Sequence, residues 1–152
     1  SLLRELHMII MEEEKDFRKE EIFFFLLEQL IEEHCEKKTD RPRTEESREI
    51  GIICSHLERN YMKNITLDEL SELTGLSKYY LLRSFTKQRG ISPYRYLETI
   101  RIDRAKKLLE KGVLPIEVAL QTGFTDQSHF SNFFKKFIGL TPKQYMNIFK
   151  DL

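Results

Sequence analysis

Arg83, Gln127 and Asn132 are side chains suited to reading the edge of a base pair. An arginine can donate two bonds to guanine, and Gln or Asn can pair with adenine. Tyr79, Tyr80 and Leu82 stand beside Arg83, and Ser128 and His129 lie between Gln127 and Asn132. Tyr79 and Leu82 are of a kind that meets thymine methyls. Lys78 and Lys87 flank the first group, and Lys135 and Lys136 the second. Such lysines, with the helix-start amides expected at Ser77 and Thr125, can hold phosphate oxygens, which position a protein without reading sequence. The expected base contacts are therefore Tyr79, Tyr80, Leu82, Arg83, Gln127, Ser128, His129 and Asn132. The expected phosphate contacts are Ser77, Lys78, Lys87, Thr125, Lys135 and Lys136.

These residues can act together only if two helices present them on free faces, and the chain writes such a unit twice. The first copy runs Leu70-Ser71-Glu72-Leu73-Thr74-Gly75-Leu76-Ser77, then Leu81, Arg83, Phe85, Lys87, Gly90, Ser92, Pro93 and Tyr96. The second runs Val118-Ala119-Leu120-Gln121-Thr122-Gly123-Phe124-Thr125, then Phe130, Asn132, Phe134, Lys136, Gly139, Thr141, Pro142 and Tyr145. The copies lie 48 residues apart up to the shared glycine and 49 after it, so one carries an extra residue in its turn. A repeat of this kind marks a duplicated supersecondary unit. Each copy reads as helix, glycine turn and capped second helix, the helix-turn-helix arrangement. Leu81 and Phe85 are expected to face inward against Leu70 and Leu73, and Phe130 and Phe134 to face inward in the second copy.

The remaining chain reads as helical throughout. Apolar residues recur at helical spacing over residues 2–14, and a second helix is expected from about Glu20 to Lys37. The run Ile22-Phe23-Phe24-Phe25-Leu26-Leu27 with Leu30 and Ile31 is too broad an apolar surface for a lone helix in water. Phe23, Phe24, Leu27, Leu30 and Ile31 are the candidate dimerisation residues, with intradomain packing as the other use of this face. Thr39-Asp40-Arg41-Pro42-Arg43-Thr44 breaks the periodicity and reads as a linker. The expected organisation is a helical connector over 1–38, a linker over 39–46 and a helical domain over 47–152. Within that domain the first helix-turn-helix spans about 66–90, a long linker helix about 93–111, and the second helix-turn-helix about 115–138. Thr66 with Glu69 three residues on predicts a capping box. Thr125 or Asp126 is expected to cap the second unit's reading helix.

Residues about 50–150 resemble the DNA-binding domain of the AraC/XylS family of bacterial transcription regulators. The segment Ala119-Leu120-Gln121-Thr122-Gly123-Phe124-Thr125-Asp126-Gln127-Ser128-His129-Phe130-Ser131-Asn132-Phe133-Phe134-Lys135-Lys136-Phe137, followed by Gly139-Leu140-Thr141-Pro142 and Tyr145, carries most of the likeness. Ser92-Pro93-Tyr94-Arg95-Tyr96-Leu97, Arg101, Ala105, Leu108 and Leu109 resemble the family's linker helix. Asn132 stands where the family often has a basic residue. The resemblance implies an all-α fold whose two helix-turn-helix subdomains read successive major-groove segments, one turn of B-DNA or about 34 Å apart. It also implies a cytoplasmic, homodimeric regulator, expected to be an activator, with double-stranded DNA as partner and RNA polymerase as a further one. Family members commonly add a sensor domain, often a small β-barrel, and dimerise through neighbouring helices. No barrel sequence is present here, so the chain is expected to be the C-terminal portion of a larger regulator or a minimal form. A small-molecule effector is expected only where such a sensor exists.

Charge distribution agrees. Residues 1–56 hold nine Lys and Arg against 15 Asp and Glu, while residues 57–152 hold 16 against 10, so a net of zero hides an acidic region beside a basic one. That asymmetry fits a polyanion-binding domain beside a segment with a separate partner. A helical protein-interaction adaptor without DNA binding is the alternative, resting on the Phe-rich helix and the acidic first third. Enzymatic readings find little support. Ser128 and His129 are sequence neighbours, which does not place a nucleophile beside a base, and there is no phosphate-binding glycine loop. His34-Cys35 and Cys54-x-His56 lack a second pair at ligand spacing, so no metal or other cofactor is expected. No apolar run is long enough to span a bilayer. Cys35 and Cys54 form no C-x-x-C pair and read as free thiols of a reducing compartment.

Overall fold

The computed structural model describes the backbone of residues 16–34 and 48–150. The helix expected over 2–14 and the linker over 39–46 lie outside the described residues, as do the side chains of Ile31, His34 and Cys35. Among the described residues the architecture is all-α, with eight helices and no strand. In chain order they are α1 (Asp16–His34), α2 (Arg48–Asn60), α3 (Leu67–Thr74), α4 (Lys78–Arg89), α5 (Pro93–Glu110), α6 (Pro115–Gln121), α7 (Gln127–Ile138) and α8 (Pro142–Ile148). The described residues form two compact units, one of those up to Leu57 with Ile65–Tyr96, the other of Glu58–Asn64 with those from Leu97 onward.

In the first unit, α1 already includes Asp16, four residues ahead of the start that its apolar run predicts. The reason is Phe17, which is 2% exposed and sets its ring edge-on against Tyr94 at 5.5 Å. One turn on, the buried Glu21 accepts a hydrogen bond from the Tyr94 backbone N–H at 2.7 Å. Tyr94 is the second residue of α5, where amide donors have no partner within the helix, so a carboxylate there satisfies an orphan donor and meets the positive end of the helix dipole. Ile50, Ile53, Cys54 and Leu57 form the buried stripe of α2, as the sequence period requires.

Thr66 caps α3 by accepting from the Glu69 N–H at 3.1 Å. Only this half of the expected capping box is seen, because the Glu69 carboxylate bonds to His56 Nε2 at 2.7 Å. The reciprocal box occurs instead at α8, between Thr141 and Gln144. Leu70 is buried as expected, but Leu73 is 45% exposed. At 100° per residue Leu73 lies roughly 60° further round the helix than Leu70, off the stripe that Leu67 and Leu70 make.

The second unit has a core of Ile102, Ala105 and Leu109 from α5, Val118 and Ala119 from α6, Phe124 from the turn, Phe130, Phe133 and Phe134 from α7, and Met146 from α8. Phe130 and Phe134 are fully buried and touch edge-on at 5.5 Å. Tyr145 packs on Phe134 and donates its hydroxyl to Glu110 Oε1 at 2.7 Å. Burial, then this carboxylate, pushes the Tyr145 hydroxyl up to about 12.

Arg101 of α5 is 2% exposed. Its Nε donates to the Tyr61 carbonyl at 2.8 Å and its Nη2 to the Lys63 carbonyl at 3.1 Å, so one guanidinium fastens the 61–63 segment. Replacement by Met keeps the apolar stem and strands both carbonyls. Arg101→Met is expected to lower stability by about 3 kcal/mol in urea denaturation, because two charge-assisted bonds from a buried guanidinium are lost and such bonds contribute more than neutral ones. A loss below about 1 kcal/mol would mean that water replaces the guanidinium there.

Candidate nucleic-acid interface

Each unit ends its first short helix at a glycine and opens its second with a side-chain cap. In the first, Ser77 follows Gly75 by two residues and its Oγ accepts from the Tyr80 N–H at 3.3 Å. In the second, the cap is Asp126, three residues after Gly123, accepting from the His129 N–H at 2.8 Å. The extra residue of the repeat therefore sits in the second turn, and Thr125 is the residue before the cap. Its hydroxyl lies 3.4 Å from His129 Nδ1. Asp126 brings a carboxylate to the start of α7, where Ser77 brings a neutral hydroxyl to α4.

With caps aligned, α4 and α7 correspond residue for residue, and Arg83 matches Asn132. Leu81 and Phe85 of α4, and Phe130 and Phe134 of α7, are fully buried. The opposite faces hold most of the expected reading residues. On α7, Gln127, Ser128, Asn132, Lys135 and Lys136 are exposed and His129 is half-buried, with its ring edge against Phe124 at 5.6 Å. Ser128, Asn132 and Lys136 recur every four residues and so line one strip. On α4, Tyr79, Arg83 and Lys87 make the matching strip, with Tyr80 exposed beside it. Tyr79 and Arg83 are half-buried, and Arg83 Nη1 donates to the Tyr79 hydroxyl at 3.3 Å.

Leu82 departs from this arrangement. It is 2% exposed, so it belongs to the interior of the first unit and does not reach a base. The reason is α1, which packs against α4. Lys78, Leu82 and Thr86 share one edge of α4, and Lys78 Nζ on that edge meets Glu20 Oε1 of α1 at 3.2 Å. Lys78 also meets Asp68 Oδ1 at 2.7 Å. Bonding to Asp68, then to Glu20, outweighs its partial desolvation and raises its ammonium above the usual lysine range. Further along, Glu28 Oε1 lies 3.6 Å from Arg83 Nε. Sequence reasoning missed Glu20 and Glu28. The signal available is the opposite charge of the two regions, which equally fits an acidic helix pairing with the basic one.

Of the expected dimerisation residues, Phe23 and Leu30 are each 56% exposed, while Phe24 and Leu27 are half-buried. The Ile31 side chain lies outside the described residues. Among the described residues no group of His, Cys, Asp and Glu could hold a metal ion. No helix among them is long and apolar enough to cross a membrane.

Comparison with known proteins agrees with this geometry. A helix-turn-helix domain family model matches residues 70–148. Over 127 residues the chain is 57% identical to YbfI, an uncharacterised HTH-type transcriptional regulator of Bacillus subtilis strain 168. That match covers 84% of this chain and 46% of YbfI, so the chain spans about half the length of that relative. Among solved structures, the C-terminal domain of the two-component response regulator yesN from Fusobacterium nucleatum is 38% identical, with a TM-score of 0.62 over 66% of this chain and 99% of that one. The C-terminal domain of AraT, a response regulator from Geobacillus stearothermophilus, is 32% identical, with a TM-score of 0.64 over 67% and 86%. With a side-chain-capped second helix in each copy of a repeated helix-turn-helix unit, and with these relatives, the chain belongs to the AraC-type helix-turn-helix family of DNA-binding transcription regulators.

Proposed function

We propose that this chain is the DNA-reading part of a bacterial transcription activator, in which α4 and α7 enter successive major-groove segments of one operator. The observation that carries this reading is the matched pair of strips, Tyr79–Arg83–Lys87 and Ser128–Asn132–Lys136, each backed by a buried aliphatic or aromatic stripe. Arg83 is suited to guanine, Gln127 and Asn132 to adenine, and Tyr79, Tyr80, Ser128 and His129 to neighbouring edges. Ser77, Lys78, Lys87, Thr125, Lys135 and Lys136 are placed to meet phosphates, with the Asp126 carboxylate reducing the pull of the α7 start on an anion. The exposed Phe23 and Leu30 support a role for α1 in joining two copies of the chain. Such a regulator works in the cytoplasm and meets RNA polymerase at the promoter.

Titration of the chain against a duplex selected from a randomised pool, at several salt concentrations, tests the reading. Affinity is expected to fall steeply with salt, because each neutralised phosphate releases counterions. Arg83→Ala is expected to cost about 1–3 kcal/mol and to relax preference at one base pair, whereas Lys136→Ala weakens all sequences alike. Binding insensitive to salt, or equal losses on every sequence for both variants, would refute the assignment.

A further inference from the structure

The first reading helix is already engaged by acids of its own chain. Along α1, Phe17, Glu21, Phe24 and Glu28 follow at intervals of four, three and four, so they share one face. Phe17 and Glu21 anchor that face through Tyr94, by an edge-on ring contact and a 2.7 Å hydrogen bond. From this anchorage Glu20 reaches Lys78 at 3.2 Å and Glu28 reaches Arg83 at 3.6 Å. These two cations are the ones placed to meet a phosphate and a base on α4. The second reading helix differs, since Gln127, Asn132, Lys135 and Lys136 are all exposed.

We propose that α1 is an autoinhibitory latch, whose Glu20 and Glu28 carboxylates occupy Lys78 and Arg83 in place of DNA and must leave before the first helix-turn-helix can read its segment. This rests on the DNA-binding reading given above. The latch is selective. It takes the Lys78 edge of α4 together with Arg83 and leaves Tyr80 and Lys87 exposed, so encounter with DNA can begin while the latch is closed. It is also weak, because pairs with this much exposure contribute little each and are screened by salt. Thr86, next along the latched edge, has its hydroxyl oxygen buried without a hydrogen-bond partner among the described residues. Opening that edge would restore its hydration. A carboxylate pair that holds an arginine and a lysine is the chemistry a phosphate backbone and a guanine edge compete for.

The test uses the full chain with Glu20→Gln and Glu28→Gln together, and the duplex selected for the wild type. The amides keep the shape of the side chains, and unchanged far-UV circular dichroism confirms the fold. Asp103→Asn, an exposed carboxylate on α5, controls for the change of net charge per carboxylate removed. The double variant is expected to bind roughly three- to tenfold more tightly than the wild type at low salt, with the gap closing as salt rises. Asp103→Asn should shift affinity by less than about twofold under the same screening. Arg83→Ala is expected to cost more in the Glu28→Gln background than in the wild type, because the arginine is then released for DNA. Salt-dependent binding by the wild type with no gain in the double variant, or a gain matched by Asp103→Asn, would overturn the latch and leave the DNA-binding reading standing. Absence of salt-dependent binding in every form would overturn both. Should Glu28→Gln fail to fold, Arg83→Gln is the second variant. Unchanged affinity in the Glu20→Gln single variant, while Arg83→Gln still loses base preference, likewise rejects the latch.

Discussion

Gly123→Ala lowers the stability of the second unit by about 3 kcal/mol, while Gly75→Ala in the corresponding turn of the first unit costs about half as much. Both glycines have positive φ, +80° and +70°, where a β-carbon is strained against its own backbone. That common strain amounts to roughly 1–2 kcal/mol. At Gly75 nothing lies within 4 Å of an added β-carbon, so strain is the whole effect. At Gly123 the carbon would meet the Met62 and Tyr61 carbonyl oxygens at 2.9 Å each. Both obstacles are backbone, and Arg101 fastens the Tyr61 carbonyl, so relief requires moving a held segment. Urea denaturation followed by far-UV circular dichroism measures the difference, and hydrogen exchange of the α6 and α7 amides locates it. Equal losses at the two glycines would show that the 61–62 segment does not abut the turn. Because this turn carries Asp126 and the start of α7, the variant should also lose DNA affinity in proportion to the unit's loss of folding.

Phe134→Ala is expected to remove about 3–5 kcal/mol, enough to unfold a small unit of marginal stability. Its ring is fully buried and packs edge-on against Phe130 at 5.5 Å and Tyr145 at 5.5 Å. Phe130 in turn touches Phe124, so the cavity would open inside a connected aromatic cluster and not at its rim. Phe137, one turn along the same helix, is 43% exposed and stacks only on Phe133 among the aromatic contacts described. Phe137→Ala should therefore cost about 1 kcal/mol, the scale of one aromatic pair. Thermal unfolding of the two variants separates these outcomes. Similar shifts would mean that the α7 core rearranges to fill the space.

Much of the candidate site's framework was legible because its determinants are local. Gly75 and Gly123 stop helices, Ser77 and Asp126 cap the next ones, and the apolar period places Leu81, Phe85, Phe130 and Phe134 on the inner side. Each of these is settled by neighbours within a turn or two of helix, so residue type and spacing suffice. The repeat then set Arg83 opposite Asn132 once the extra residue in the second turn was counted.

Where legibility ended is equally physical. Period 3.6 tells which residues share a face but not what lies on that face. Leu82 shares with Lys78 and Thr86 the edge of α4 from which Lys78 meets Glu20 of α1, and it is interior there. Phe17 lies ahead of the apolar run that marks the helix, and it is core because Tyr94 stands against it. Glu69 had a capping partner three residues away, yet took His56. From the chain alone came the helices, the caps at Thr66 and Ser77, the duplicated unit and two candidate reading strips, since those depend on contacts between near neighbours. Only the tertiary structure decided that Glu20 meets Lys78 and Arg101 grips the Tyr61 carbonyl, since such pairings join residues 58 and 40 positions apart and are set by which faces the folded chain brings together.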